Sequence, residues 1–282
     1  PTADSTTNGV ISVASSKFSD SAGNENADGS DSNNTLTLSV DTVRPTIAIT
    51  SGASSLKAGE TTTVTFTLSE AATDFVEDDI SVTGGLLSSF SGSGTTYTAT
   101  FTPTADSTTN GVISVASSKF SDSAGNENAD GSEDNNSLTL SVDTVRPTIA
   151  ITSDASSLKA GETTTVTFTL SEAASDFIED DISVSGGELS SFASSSSTVY
   201  TATFTPTADS TTDGVISVAS SKFSDSAGNE NADGSEDNNS LTLSVDTVRP
   251  TIAITSDASS LKAGETTTVT FTLSEAASDF IE

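Results

Sequence analysis

The chain has 282 residues, with 40 acidic side chains against 9 basic ones, and its formal net charge is −31. A field of this sign repels phosphates and excludes nucleic-acid binding through a basic surface. The absence of Cys and His removes disulfides, thiolate metal sites and the usual general base of hydrolytic catalysis. No stretch approaches the roughly 18 apolar residues of a membrane span, so we expect no membrane insertion in this segment.

Internal repetition is the strongest feature of the sequence. The words Asp-Thr-Val-Arg-Pro-Thr begin at Asp41, Asp143 and Asp246. The repeat is therefore about 100 residues long, which is enough to bury a core of its own. The copies are nearly identical, which suits a spacer better than a set of specialised modules. We predict the back part of one repeat, two complete repeats and the front part of another, over residues 1–40, 41–142, 143–245 and 246–282.

The complete repeat 41–142 begins with a joint at 41–45, where Pro45 biases the preceding Arg44 toward an extended conformation and makes the link short and stiff. Short runs that alternate apolar and β-branched residues follow, and this period of two is typical of strands with one buried face. A turn is expected over 51–60. The strands are predicted, in chain order, at 46–50, 61–68, 80–82, 86–90, 96–101, 111–116 and 138–142.

This pattern predicts an all-β fold of tandem immunoglobulin-like antiparallel β-sandwich domains in an extended linear array. The lack of a Cys pair and of Trp excludes the antibody version of the sandwich. The bulk of the core is then expected from phenylalanines, namely Phe66, Phe75, Phe90, Phe101 and Phe120.

An acidic loop at 120–131 recurs at 18–29 and 223–234. It is rich in turn-forming residues and concentrates oxygen donors at Asp122, Asn126, Asn128 and Asp130. Calcium takes six to eight such oxygens from carboxylates, amides, backbone carbonyls and water. The loop is therefore a candidate calcium-binding loop at one end of the sandwich.

Immunoglobulin topology predicts that other acidic residues meet this loop. The joint enters the sandwich at the same end, and the second strand returns there with the loop that carries Glu70 and Asp74. Without an ion, these carboxylates would repel one another, so a bound cation would stabilise the folded array. The alternative is that the acids form a solvated, solubilising surface. Over all repeats, the predicted Ca²⁺ ligands are Asp20, Asn24, Asp41, Glu70, Asp74, Asp122, Asn126, Asp130, Asp143, Glu172, Asp176, Asp225, Asn229, Asp233, Asp246, Glu275 and Asp279.

Several words of the repeat carry a resemblance: Asp-Thr-x-x-Pro-Thr-Ile, Leu-Lys-Ala-Gly-Glu-Thr, Asp-Ile-Ser-Val-x-Gly-Gly, Tyr-Thr-Ala-Thr-Phe-Thr-Pro and Phe-Ser-Asp-x-Ala-Gly-Asn. Together they resemble the bacterial Ig-like repeats of giant secreted adhesins, the biofilm and repeats-in-toxin (RTX) adhesins exported through type I secretion. The resemblance implies an extracellular or cell-surface location and a long array that projects an adhesive tip. It also implies that calcium rigidifies the joints.

Three functions compete at this stage. The first is a structural spacer, whose partners are neighbouring repeats of the same chain. The second is a subunit of a self-assembling extracellular filament or surface layer, which would need lateral self-association. The third is an enzyme, which the sequence disfavours because Ser and Thr are abundant but no base is arranged near them. We therefore predict a spacer in an adhesin, and no catalytic activity.

Overall fold

The computed structural model describes residues 1–27, 33–129, 134–233 and 237–281, which form two compact units, Pro1–Val145 and Arg146–Glu282. The predicted ligand Asp130 lies outside the described residues. Within the described part of the chain, no helix is long and apolar enough to cross a membrane. Each unit contains one sandwich of two four-stranded sheets and one two-stranded ribbon. The all-β, Ig-like fold predicted from the sequence is confirmed.

The strands of the unit Pro1–Val145 follow the alternation of its sequence. A single 3₁₀ turn at Glu77–Asp79 precedes β6. The strands are β1 (Gly9–Ser12), β2 (Thr35–Leu38), β3 (Ile47–Ser51), β4 (Ser55–Lys57), β5 (Thr62–Leu68), β6 (Ile80–Thr83), β7 (Gly85–Ser93), β8 (Thr96–Pro103), β9 (Gly111–Val115) and β10 (Ser137–Asp143).

The two sheets of this sandwich have the strand orders β3-β5-β8-β7 and β4-β10-β9-β6. All pairs are antiparallel except β4 with β10, which run parallel. The chain therefore crosses from one sheet to the other between Ser51 and Ser55, where the Ser51 hydroxyl donates a hydrogen bond to the carbonyl of Ala53 at 2.6 Å. The sequence predicted only a turn over 51–60, because a three-residue strand is too short to show a period.

The core of this sandwich contains the side chains that the alternation turned inward. Val64, Phe66, Ala99 and Phe101 are buried between the sheets. Phe75 lies in the loop after β5 rather than in a strand, and its ring contacts Phe120 at a centroid distance of 5.1 Å and Tyr97 at the same distance. This aromatic contact packs the loop that bears Glu70 against the acidic loop. Phe90 is only half-buried.

The unit Arg146–Glu282 repeats the architecture, with sheets ordered β11-β13-β16-β15 and β12-β18-β17-β14 and an exposed ribbon β19-β20. A 3₁₀ turn at Glu179–Asp181 precedes β14. The strands are β11 (Ile149–Ser153), β12 (Ser157–Lys159), β13 (Thr164–Leu170), β14 (Ile182–Ser185), β15 (Gly187–Ser194), β16 (Val199–Pro206), β17 (Gly214–Val218), β18 (Ser240–Asp246), β19 (Ile252–Ser256) and β20 (Val269–Leu273).

Candidate metal centre

The acidic loop owes its shape to Asp122. One carboxylate oxygen of Asp122 accepts hydrogen bonds from the backbone N–H of Ala124 at 2.8 Å and of Asn126 at 2.9 Å. Gly125 supplies the positive φ of 89° that the turn needs, a conformation that glycine adopts readily. The other oxygen accepts the side-chain amide of Asn126 at 2.8 Å. The loop is thus a tight Asx-type turn that holds the Asp122 carboxylate in one orientation.

Asn128 closes the base of the same loop. Its Oδ1 accepts the backbone N–H groups of Lys119 at 2.6 Å and Phe120 at 3.1 Å, and its Nδ2 donates to the carbonyl of Ala116 at 3.0 Å. The side chain is fully buried. The sequence analysis counted this oxygen among the possible metal ligands. Because backbone N–H groups occupy it, Asn128 acts as a structural residue.

The loop after β5 is fastened to the acidic loop by Asp74. Its two carboxylate oxygens accept the backbone N–H and the hydroxyl of Ser121, both at 2.7 Å. The N–H of Thr73 donates to the carbonyl of Ser121 at 3.1 Å. Asp74 thus braces the two loops, and a direct role in holding an ion stays a prediction.

The same packing brings three carboxylates together from three segments. Asp41 comes from the joint, Glu70 from the loop after β5 and Asp122 from the acidic loop. One carboxylate oxygen from each lies within 4.8 Å of the others. Two oxygens that bind one calcium ion from opposite sides, at about 2.3–2.6 Å each, are about 4.6–5.2 Å apart. These separations fit a shared Ca²⁺ ion with carboxylate ligands, and we call these three residues the joint cluster.

Glu70 is the member of the joint cluster whose pKa is raised. Burial raises the pKa of Glu70, and the neighbouring carboxylates of Asp122 and Asp41 raise it further. Its Oε1 atom is buried and accepts no hydrogen bond from any described residue. Buried carboxylate oxygens are ordinarily paired, so an orphaned one beside two acids is what an ion-binding position requires.

Asp122 has the opposite electrostatic balance. Burial raises its pKa, but hydrogen bonds from Asn126, Ala124 and Gly125 outweigh this effect and leave the pKa below its ordinary value. Asp122 is therefore ionised at neutral pH, and its charge is fixed beside Glu70. An all-oxygen site with several negative charges suits a hard cation such as calcium rather than zinc or copper.

Asn126, a predicted calcium ligand, lies between the joint and the acidic loop. Its Nδ2 donates to the carbonyl of Asp41 at 3.2 Å and to the Asp122 carboxylate. The side chain therefore links the joint to the acidic loop. Its Oδ1 atom would be the group that contacts an ion, and that contact stays a prediction.

The copy of the loop in residues 1–40 shows that its shape is local. Asp20 is fully exposed, yet its carboxylate accepts the N–H groups of Ala22 and Asn24 at 2.9 Å and the Asn24 amide at 2.9 Å. The side chain and backbone of Asn24 lower the pKa of Asp20. The loop therefore forms without the burial that surrounds Asp122, and its carboxylate is arranged by local hydrogen bonds.

In the unit Arg146–Glu282, the loop of repeat 143–245 has the same internal bonds. The Asp225 carboxylate accepts the N–H and the amide of Asn229, both at 2.8 Å. Asp176 accepts the N–H and hydroxyl of Ser224 at 2.7 Å. Glu172 and Asp233 are half-buried in this unit.

The remaining predicted ligands lie near the ends of strands. Asp143 ends β10 in the unit Pro1–Val145 and accepts the N–H of Val145 at 3.2 Å, and Asp246 ends β18 and accepts that of Val248 at 3.2 Å. Glu275 and Asp279 follow β20 and are exposed.

Residues that the sequence analysis left out tie the joint to the acidic loop. The guanidinium Nε of Arg44 donates to the carbonyl of Glu127 at 2.7 Å, and the N–H of Ala129 donates to the carbonyl of Pro45 at 3.0 Å. Arg44 was interpreted only through its proline neighbour. The signal available was its recurrence in every copy of the Asp-Thr-Val-Arg-Pro word.

Comparison with known proteins identifies the family. The model of the bacterial Ig-like domain matches residues 41–140, 143–243 and 246–282. The chain therefore belongs to the bacterial Ig-like domain family. The expected bacterial Ig-like identity is thus confirmed, while the giant secreted subtype stays a prediction. Among curated proteins, none matches the chain.

Solved structures that are similar to this chain include those of FdeC, invasin and InvD. The chain is 19% identical to FdeC, an adhesin of Escherichia coli, with a TM-score of 0.34, and the match covers 82% of this chain and 73% of FdeC. For invasin, a bacterial integrin-binding protein, the identity is 14% and the TM-score 0.38, over 85% of this chain and 50% of invasin. For InvD of Yersinia pseudotuberculosis the identity is 19% and the TM-score 0.31, and the match covers 76% of this chain and 64% of InvD. At these values the likeness concerns the fold alone.

Proposed function

We propose that this chain is a stalk segment of an extracellular bacterial adhesin, in which calcium at the joints stiffens a row of Ig-like repeats. The tandem domains of the family and their near identity support a repetitive spacer. The proposal extends to the finer assignment: an RTX-type biofilm adhesin, secreted by a type I system and displayed at the cell surface. The partners of each repeat would be its neighbours in the same chain.

The observation that carries the calcium part is the joint cluster. Asp41 belongs to the segment that connects two repeats, whereas Glu70 and Asp122 belong to the body of one of them. An ion held by all three would bind the joint to the repeat. Because such an ion binds only the folded, docked arrangement, it would stabilise that arrangement by mass action, by about 2.7 kcal/mol at a concentration 100 times its Kd.

Calcium would neutralise the negative charge of the three carboxylates in the joint cluster. At neutral pH, Asp122 keeps its charge because its loop hydrogen bonds stabilise the carboxylate. Glu70 gains a partner for its buried oxygen when the ion binds, and the ion offsets the burial and the neighbouring charges that raise its pKa. The Asx turn holds Asp122 in place before binding, so little ordering of the loop accompanies ion capture.

The test uses the full chain with calcium or with EGTA. We expect millimolar calcium to raise the melting temperature and, in small-angle X-ray scattering, to increase the maximum dimension. The variant Asp41→Asn/Asp143→Asn should lose much of both effects. Asp78→Asn/Asp180→Asn is the matched control, since these side chains are exposed on the 3₁₀ turns before β6 and β14. If calcium changed neither the melt nor the scattering of the wild-type chain, the acids would be solubilising surface.

A further inference from the structure

The joint between repeats has a second set of contacts that involves no carboxylate. Thr144 follows directly after β10, and its side chain is buried. Its hydroxyl donates to the carbonyl of Thr104 at 2.7 Å, with the carbonyl of Ser107 at 3.1 Å, and accepts the N–H of Ser107 at 2.9 Å. The N–H of Thr144 also donates to the carbonyl of Ser107 at 2.9 Å. One threonine thus fastens the start of the joint to the loop after β8.

The residues just after Val145 are fastened within the unit Arg146–Glu282. Arg146 Nη1 donates to the carbonyl of Glu230 at 3.3 Å, and the N–H of Ala232 donates to the carbonyl of Pro147 at 3.0 Å. Only Val145 separates the residue anchored backward from the residues anchored forward. Pro147 also has a fixed φ, which removes one of the few rotations left in the segment.

The same arrangement recurs in the other copies. Thr42 makes the backward contacts, with its hydroxyl donating to Thr2 at 2.7 Å and accepting the N–H of Ser5 at 3.0 Å. The Thr247 hydroxyl likewise donates to the carbonyl of Thr207 at 2.7 Å and accepts the N–H of Ser210 at 2.9 Å. The forward contacts of Arg44 and Pro45 match those of Arg146 and Pro147. The hydroxyl makes the same bonds in each copy, and the threonine is buried at Thr144 and Thr247 and half-buried at Thr42.

We propose that the joint is a two-sided clasp in which the threonine is the positioning residue, and that this clasp restrains the backbone of the joint before any cation binds. Its backward contacts are neutral hydrogen bonds and its forward contacts are accepted by backbone carbonyls, so no carboxylate is involved and the clasp should persist when calcium is removed. The inference rests on the proposed stalk role but not on calcium. Calcium would then add stiffness to a joint whose backbone is already restrained.

Hydrogen exchange of the wild-type chain in EGTA tests the backward anchor without a variant. We expect the amide of Ser107, which donates to the Thr144 hydroxyl, to be protected in EGTA as well as in calcium. In Thr144→Val, which keeps the shape but loses the hydroxyl, this amide should exchange roughly tenfold faster, whereas Thr144→Ser should stay near wild type. A Ser107 amide that exchanges freely in EGTA and slows only when calcium is added would overturn the proposal.

A distance measurement tests whether the clasp restrains the joint. The chain has no native Cys, so spin labels can be placed at Thr63→Cys and Thr165→Cys, equivalent exposed positions on β5 and β13. In EGTA, we expect a narrow distance distribution for the wild type and Thr144→Ser, and a broader one for Thr144→Val that narrows when calcium is added. Circular dichroism confirms that each variant is folded. A wild-type distribution in EGTA as broad as that of Thr144→Val would refute the clasp. If calcium left the distance distributions of the wild type and both variants unchanged, only the role of calcium in the stalk would be refuted.

Discussion

Neutralising one carboxylate of the joint cluster should have opposite effects on stability with and without calcium. Glu70 lies within 4.8 Å of both Asp41 and Asp122, measured between single carboxylate oxygens. At that distance, the repulsion between two unit charges is about 1 kcal/mol in water and about 3 kcal/mol at the effective dielectric constant of a protein surface. Glu70 has two such neighbours, and its buried oxygen has no described donor to offset them.

The perturbation is Glu70→Gln, made together with Glu172→Gln because repeat 143–245 carries the same sequence around that position. Without calcium, the loss of repulsion should stabilise the repeats by about 1–3 kcal/mol. For domains of this size, each kcal/mol corresponds to about 4–8 °C in Tm. With saturating calcium, the same variant should be less stable than the wild type, because it lacks an anionic ligand.

The assay is a thermal melt followed by circular dichroism in EGTA and in millimolar calcium. The control is Glu77→Gln/Glu179→Gln, which removes exposed charges from the neighbouring 3₁₀ turns and should shift both melts little. The reasoning would be refuted if Glu70→Gln/Glu172→Gln lowered the Tm in EGTA, or if it kept the full calcium-induced rise.

Further predictions concern pH, the loop and the end of the sandwich away from the cluster. Without calcium, stability should fall as pH rises from the ordinary Glu pKa through the raised pKa of Glu70, because the folded state binds the proton more tightly, and Glu70→Gln should flatten that slope in melts across pH 4–7. Asn128→Ala should lower stability by about 1–3 kcal/mol in urea titrations, since it leaves buried backbone groups unpaired, whereas Asn26→Ala at the half-buried counterpart should have a smaller effect. Gly85→Ala should destabilise by at least 1 kcal/mol in the same assay, because its Cβ would lie 2.5 Å from the ring of Phe101.

The lateral assembly predicted as the alternative function has a separate test. The long edge strand β7 has a register shift between Ser88 and Ser91, and such bulges interrupt edge-to-edge pairing. If units pair laterally, light scattering should give a mass that rises with protein concentration at millimolar calcium. A constant monomer mass would leave the spacer as the simpler account.

The strands were predictable where apolar and polar residues alternate strictly. In Thr62–Leu68, buried side chains alternate with more exposed ones along the whole run, and the run forms β5 almost as predicted. β4 was missed because three residues carry no period. The start of β7 was placed one residue late and its end three residues early, because serines and the register shift hide the alternation after Ser88.

The meeting of Asp41, Glu70 and Asp122 could be anticipated because topology alone sends their segments to the same end of the sandwich. Which oxygens are left for an ion could not be anticipated, since that depends on hydrogen-bond geometry. Asp74 is occupied by Ser121 and Asn128 by the backbone, whereas the Oε1 atom of Glu70 is left without a described donor.

The most direct measurement is a crystal structure of the full chain grown in millimolar calcium, with anomalous scattering used to locate the ion. The account predicts a calcium ion bound by Asp41, Glu70 and Asp122, with metal–oxygen distances of about 2.3–2.6 Å. Asp41 must be among the ligands, because only that residue connects the ion to the joint. A joint cluster that held only water, or an ion bound elsewhere without the joint aspartate, would contradict the account.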